Sequence, residues 1–88
     1  MKNNFDFEDI QVNSRETFIQ FIRQFRLNLD DNFEQWTNNN LSDFLESLES
    51  YAEDVQGYYD NTQQTGENAD IASWKRFADI LKGARVYE

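Results

Sequence analysis

The chain has 88 residues, with eight Lys or Arg against 17 Asp or Glu and a formal net charge of −9. This length suits one domain. The acidity argues against nonspecific binding to nucleic acids, which requires basic side chains to replace phosphate counterions, and against binding to an anionic membrane surface. No Cys and no His are present, so disulfides, thiolates for catalysis or zinc binding, and the usual acid–base mechanisms are excluded. No apolar run is long enough for a membrane span or a signal peptide, so we expect a cytoplasmic protein.

Residues 1–13 are predicted to be a lead-in to a single helical domain at residues 14–88. Phe5 and Phe7 alternate with acidic residues, and Ile10 and Val12 follow. This alternation is typical of an extended piece lying over the helices, and it is equally compatible with a frayed terminus.

A first helix is predicted at residues 14–29. Asn13 and Glu16 have capping-box spacing, and Ser14 is the alternative N-cap. Apolar residues then recur at helical spacing. This stripe consists of Phe18, Ile22, Phe25 and Leu29, and it is flanked on one side by Arg15, Arg23 and Arg26.

The polar connection at residues 30–40 carries two aromatic anchors, Phe33 and Trp36. A second helix is predicted at residues 41–59, with Asn40 as its N-cap. Its apolar residues recur at spacings of three and four, and acidic residues occupy the opposite arc. We expect it to be the central element, with both other helices packed against it.

Residues 60–70 contain no large apolar side chain and predict an exposed loop. Asp70 is the expected N-cap of a third helix at residues 71–86. Its solvent-exposed face would include Arg76. The predicted fold is therefore all-α, a compact three-helix bundle with an extended N-terminal lead-in. Its expected core comprises Phe18, Ile22, Phe25, Leu45, Leu48, Ala52, Val55, Trp74, Phe77 and Leu81.

Charge is divided unevenly along the chain. Residues 30–70 contain eleven acids and no Lys or Arg, whereas the first and third predicted helices are mildly basic. Opposite charges on neighbouring helices favour their association.

No metal site or cofactor site is predicted. The segment beginning at Asp60 resembles the start of a calcium loop, but its glycine is the seventh residue instead of the sixth, and the twelfth residue is Ile71 instead of Glu. Glu49 and Glu53 share a helix face, which is typical of a solvated surface.

Eight residues are candidates for binding a partner. Tyrosines surrounded by carboxylates are suited to gripping a basic protein. The alternative interpretation places the tyrosines in the core or at its edge, with their hydroxyls reaching water, and Trp74 in the core. The candidates are Glu46, Glu49, Glu53, Asp54, Tyr58, Tyr59, Asp60 and Trp74.

Three ordered motifs resemble a small, uncharacterised bacterial family known only as a domain of unknown function. They are W-x-N-x-x-L-x-x-F-L-E-x-L from Trp36, D-x-x-G-Y-Y from Asp54, and S-W-x-x-F-A-x-I-L-x-x-A-x-x-Y-E from Ser73. Thr37 stands where the family motif usually has Glu. The resemblance covers about residues 10–88 and implies a compact, mainly helical bacterial domain without an established activity.

Three functional hypotheses follow. The first is a non-enzymatic protein-interaction module whose acidic face meets a basic protein. The second is a sharper form, an inhibitor or immunity-type protein that binds a basic nucleic-acid-acting enzyme or toxin. The third, a small-ligand binder or carboxylate enzyme, requires a concave pocket near Tyr58, Tyr59 and Trp74. The sequence leaves the oligomeric state open.

Overall fold

The computed structural model describes residues 6–87, in which three α-helices and two single-turn 3₁₀ helices follow one another without a β-strand. The α-helices are α1 (Arg15–Asp31), α2 (Leu41–Asn61) and α3 (Trp74–Ala84), and the 3₁₀ turns are Phe7–Asp9 and Phe33–Gln35. The radius of gyration is 13.2 Å. The predicted all-α, compact three-helix architecture is confirmed. The expectations for Phe5 and Glu88 fall outside the described residues.

The helix starts follow from side chains that accept free first-turn amides. Asn40 caps α2 as predicted, since its Oδ1 accepts from the Asp43 amide at 2.9 Å. Ser14, the alternative cap, begins α1. The predicted start of α3 was wrong, because Ser73 is its N-cap instead of Asp70. The Ile71 carbonyl accepts from Arg76 Nε at 3.1 Å and lies outside the helix.

The shortest helix, α3, lies between the two longer ones. It packs against both α1 and α2, whereas the α1 and α2 backbones make no close approach among the described elements. The expectation that α2 would be central was therefore wrong. No helix among residues 6–87 combines the length and the apolar character needed to cross a membrane.

The larger core cluster joins the N-terminal segment to α1 and α3. The Phe7 ring lies 5.9 Å from the Phe21 ring and 5.1 Å from the Phe25 ring. Trp36 stands 4.7 Å from Phe25, and its Nε1 donates to Asn28 Oδ1 at 2.8 Å. The lead-in is therefore part of the core. The buried members are Phe7, Ile10, Val12, Phe21, Phe25, Trp36 and Ala78.

A second core cluster joins α2 to α3. Tyr51, Val55 and Tyr59 are buried there, with Ile80 and Tyr87 packed against them. Asn38 closes the C-terminal end of α3, because its Nδ2 donates to the carbonyls of Ala84 at 2.9 Å and Tyr87 at 2.7 Å.

Half of the predicted core is exposed. Phe25 and Val55 are buried, and Phe18, Leu48 and Leu81 are half-buried. The exposed members are Ile22, Leu45, Ala52, Trp74 and Phe77. On α2 the buried line is Ser47, Tyr51, Val55 and Tyr59, which at 100° per residue is turned by about 60° from the expected midline. Arg76, expected on the wet face, is also buried.

The buried position of Phe7 predicts a large energetic role for the lead-in. Phe7→Ala should lower the free energy of unfolding by about 3–5 kcal/mol, because it removes a fully buried ring and leaves a cavity. Phe33→Ala is the matched control, since the Phe33 ring is about half exposed and its loss should cost about 1 kcal/mol or less. Urea denaturation measures both values. Equal losses would show that the lead-in does not belong to the core.

Two helical glycines give a second matched pair. A Cβ at Gly83 would overlap the Tyr51 ring, so Gly83→Ala should destabilise the fold by about 1–3 kcal/mol through overpacking. A Cβ at Gly57 would meet no atom within 4 Å, so Gly57→Ala should stabilise α2 by about 0.5–1 kcal/mol. Thermal unfolding of both variants measures the difference. A stabilising Gly83→Ala would contradict the close packing of α3 on α2.

Candidate functional site

The structure separates the eight candidate residues into exposed and buried groups. Glu46, Glu49, Glu53 and Asp60 are exposed on α2. Tyr58 is 46% exposed, whereas Tyr59 is 0% exposed, so Tyr59 follows the interpretation that placed the tyrosines in the core and does not belong to a surface patch. The partly exposed Trp74 lies against Phe18 of α1, with 5.3 Å between the rings, and does not join the tyrosines.

A wide cleft of about 970 Å³ brings three of the candidates, Glu53, Asp54 and Tyr58, together between α2 and the C-terminal end of α3. Tyr51 and Tyr87 complete an aromatic wall that sequence reasoning had not assembled. We name this site the tyrosine–carboxylate cleft. Glu46, Glu49, Asp60 and Trp74 do not line it.

The three tyrosine rings of the cleft are packed edge to face or tilted against one another. The Tyr51 ring lies 5.1 Å from Tyr87 at an interplanar angle of 69°, and 6.4 Å from Tyr58 at 54°. Gly57 adds no side chain beside Tyr58, and this part of the rim stays open. The cleft therefore presents aromatic surface to solvent.

The charges around the cleft are unequal. Four carboxylates line it, those of Glu8, Glu53, Asp54 and Asp79, together with the bases Lys82 and Arg85. Both bases lie over aromatic rings of the larger core cluster, since Lys82 Nζ is 5.6 Å from the Phe21 ring and the Arg85 guanidinium is 5.1 Å from the Phe7 ring. The cleft therefore suits a positively charged group better than an anion.

One wall of the cleft is fixed by a hydrogen bond between Tyr87 and Asp54. The Tyr87 hydroxyl donates to Asp54 Oδ2, and this bond raises the pKa of Tyr87. Ser47 Oγ also donates to the Tyr87 carbonyl at 2.8 Å. The C-terminal segment is thereby held against α2, and Asp54 is a structural partner as well as a candidate binding residue.

Tyr59 belongs to a buried polar network behind the cleft. Its hydroxyl donates to Asp79 Oδ2 at 2.7 Å, and the Arg76 guanidinium lies 5.0 Å from its ring centre. Arg76 also donates to Glu67 at 2.5 Å, and this contact, together with the charge of Lys75, lowers the pKa of Glu67. The network explains why Tyr59 and Arg76 are inside the molecule.

A second concave surface lies in the space between the C-terminal half of α1 and the start of α2. It encloses about 310 Å³ and is almost entirely apolar. We name it the apolar groove. Sequence reasoning missed it, because most of its helical residues were expected to be covered. Its walls include Ile22, Phe25, Arg26, Leu29, Trp36, Leu41 and Phe44.

Among residues 6–87, no three His, Cys, Asp or Glu side chains lie close enough together to hold one metal ion.

The buried tyrosines predict an alkaline limit to stability. Burial raises the pKa of Tyr51 and of Tyr59 to about 12, from an ordinary value of 10.0. Between these values the folded chain retains protons that the unfolded chain loses. The contribution of these two tyrosines to the free energy of unfolding should therefore be constant from neutral pH to about pH 10 and fall as the pH approaches about 12.

Urea denaturation between about pH 8 and about pH 11.5 measures this fall, and Tyr59→Phe should make it shallower. Tyr58→Phe, which removes a half-exposed hydroxyl, is the matched control. If stability stayed constant through this range, the two rings would not be buried as described.

Comparison with known proteins identifies a family without assigning an activity. A family model described as a family of unknown function, DUF7660, matches residues 14–88. Neither the curated proteins nor the solved structures give a significant match. The matched region begins at the N-cap of α1 and includes all three helices. The chain therefore belongs to the DUF7660 family of unknown function.

Proposed function

We propose that this chain is a non-enzymatic protein-interaction module that receives a lysine or arginine side chain of a basic partner in the tyrosine–carboxylate cleft. The observation that carries the proposal is the half-exposed Tyr58 ring, which lies in one cleft with the carboxylates of Glu53 and Asp54. The absence of His and Cys from the sequence supports a role in binding over catalysis.

The chemistry of the cleft matches a cation in two ways. A Lys or Arg group over a tyrosine face gains about 0.5–2 kcal/mol from the ring quadrupole, more as the contact loses water. The neighbouring carboxylates accept hydrogen bonds from the same group, and such charge-assisted bonds are stronger than neutral ones. Since Tyr51 and Tyr87 are already packed together, ordering the aromatic wall costs little upon binding.

The acidic surface outside the cleft supports the same proposal. Glu46, Glu49 and Asp60 are exposed on α2 and form no ion pair with any described residue. Unpaired surface charges contribute little to stability, but they raise the association rate of an oppositely charged partner. Because the formal charge of the chain is −9, the partner that it attracts is positively charged.

The inhibitor hypothesis is a narrower form of the same proposal. It is favoured by the exposed carboxylates of Glu46, Glu49 and Glu53, which follow one another at about one helical turn along α2. Such a row suits a basic surface that otherwise binds phosphates. Competition between this chain and DNA for a basic partner would distinguish this form from general protein binding.

The small-ligand hypothesis also has an observation in its favour. The structure provides the concave site that this hypothesis required beside Tyr58. A free diamine offers the same cationic group as a lysine side chain, so the cleft alone does not separate a small ligand from a protein.

A titration followed by NMR tests the proposed binding site. The probe is a pentapeptide with two lysines separated by glycine, added to the ¹⁵N-labelled full chain. We expect saturable shifts at Gly57, Tyr58 and Tyr87 with a dissociation constant near the millimolar range, because one anchoring side chain supplies only about 4 kcal/mol. Tyr58→Ala and Glu53→Gln should each weaken binding by about fivefold or more.

Three comparisons decide the outcome. Glu34→Gln removes an exposed acid outside the cleft and should leave the affinity unchanged. A peptide with glutamates in place of the lysines should cause no saturable shift. Equal weakening by Glu34→Gln and Glu53→Gln would contradict the site, and tighter binding of putrescine than of the peptide would favour the small-ligand hypothesis.

A further inference from the structure

The structure leaves large apolar side chains of all three helices in contact with solvent. Leu41 is 73% exposed and Leu45 is 52% exposed, and Ile22, Trp74 and Phe77 are also exposed. Single exposed apolar residues are common on proteins, whereas a contiguous patch marks an interface.

The five residues form one surface that extends from the apolar groove, and we name it the apolar face. Ile22 and Leu41 line the groove from opposite sides, and Leu45 follows Leu41 by one helical turn. Ile22 also lies one turn after Phe18, whose ring is 5.3 Å from Trp74. Trp74 is 6.0 Å from Phe77. The apolar face therefore crosses from α2 over α1 to α3.

The charges beside this face are complementary but do not meet within the chain. Arg15, Arg23 and Arg26 are exposed on α1, and Arg26 lines the groove. Glu49 follows Leu45 by one turn on α2. The ion pairs among residues 6–87 involve only Lys75 and Arg76 as bases. Because α3 keeps α1 and α2 apart, the basic helix and the acidic helix are not neutralised by one another.

We propose that a second copy of this chain covers the apolar face in a two-fold symmetric dimer. In such a dimer each contact occurs twice. Charge complementarity favours the arrangement in which α1 of one copy lies beside α2 of the other on both sides of the axis. The arginines of each copy then face the acids of its partner. The apolar side chains supply the affinity, and the charges fix the orientation.

The charge of −9 per copy opposes association at long range, but its effect is limited. The Debye length is about 8 Å at physiological ionic strength, so distant repulsion is largely screened, whereas contacting charges at the interface are not. The distribution also favours this arrangement, since from residue 14 to residue 29 the chain has three Arg and one Glu.

Sedimentation equilibrium of the full chain, from about 10 μM to about 1 mM, tests this inference. We expect a monomer–dimer equilibrium whose dissociation constant rises by about tenfold or more in Leu45→Glu, because a carboxylate would be buried in the interface. Leu27→Glu is the matched control, since Leu27 is also exposed but lies on the opposite side of α1 from Ile22. Both positions are exposed, so both variants should stay folded.

Charge exchange tests the proposed orientation. The double variant Arg23→Glu with Arg26→Glu makes both α1 and α2 acidic at the contact, and Glu46→Arg with Glu49→Arg makes both helices basic there. Each double variant alone should therefore dimerise at least about tenfold more weakly. Mixing the two double variants should produce a heterodimer, because at both contacts an acidic helix of one chain then lies beside a basic helix of the other. None of these four residues lines the tyrosine–carboxylate cleft.

A wild-type chain that stays monomeric at about 1 mM would overturn the dimer. A dimer that Leu45→Glu and Leu27→Glu weaken equally would overturn the apolar face as its interface, and a mixture that stays monomeric would overturn the pairing of α1 with α2. The lysine-peptide titration uses a different surface, so its failure would leave this inference intact.

Discussion

The close packing of α3 between two longer helices is the constraint on which the rest of the structure depends. Gly83 lets the Tyr51 ring of α2 occupy the space of a side chain, and Ala78 lets the aromatic cluster of α1 approach the other side. Asn38 then fixes the end of α3 through the carbonyls of Ala84 and Tyr87. A helix with larger residues at these positions would not fit, and α1 and α2 would lose their common support.

Local signals predicted the elements well because the forces that start a helix are themselves local. Asn40 and Ser14 accept amides three residues ahead, and both were recognisable as caps. Ser73 is a cap of the same kind, since its Oγ accepts from the Arg76 amide at 3.0 Å, but Asp70 offered a similar signal three residues earlier, and the contacts of Arg76 decide between them. Arg76 reaches Glu67 and the Ile71 carbonyl, so the backbone before Ser73 is held outside the helix. No short sequence pattern records such a contact.

The sequence pattern located the apolar side of each helix, but it did not predict which part of that side is covered by a neighbouring helix. Helical spacing identifies which side of α2 is apolar, but it does not say which half of that side meets α3. Tyr51 and Tyr59 are buried there with Ser47, and Leu45 is left outside. Buried polar groups complicate the pattern further, since Ser47 donates to the Tyr87 carbonyl from a position that looks exposed in sequence. The tyrosine–carboxylate cleft was only half predicted, because Tyr87 enters it from the segment that follows α3 and not from α2.

The tyrosine–carboxylate cleft and the apolar groove are separate surfaces at opposite ends of α2. The tyrosine–carboxylate cleft lies along the C-terminal half of α2, the apolar groove lies at its N-terminal end, and the two share no lining residue. A basic side chain in the cleft would therefore not compete with a second copy on the apolar face, whereas a partner bound along Glu46 and Glu49 would. Two copies would then present two clefts on one rigid body, and a partner with two basic segments would bind with an effective concentration set by their spacing. Dimerisation would thus strengthen the binding of such a two-segment partner, and that partner would in turn stabilise the dimer, without any change in conformation.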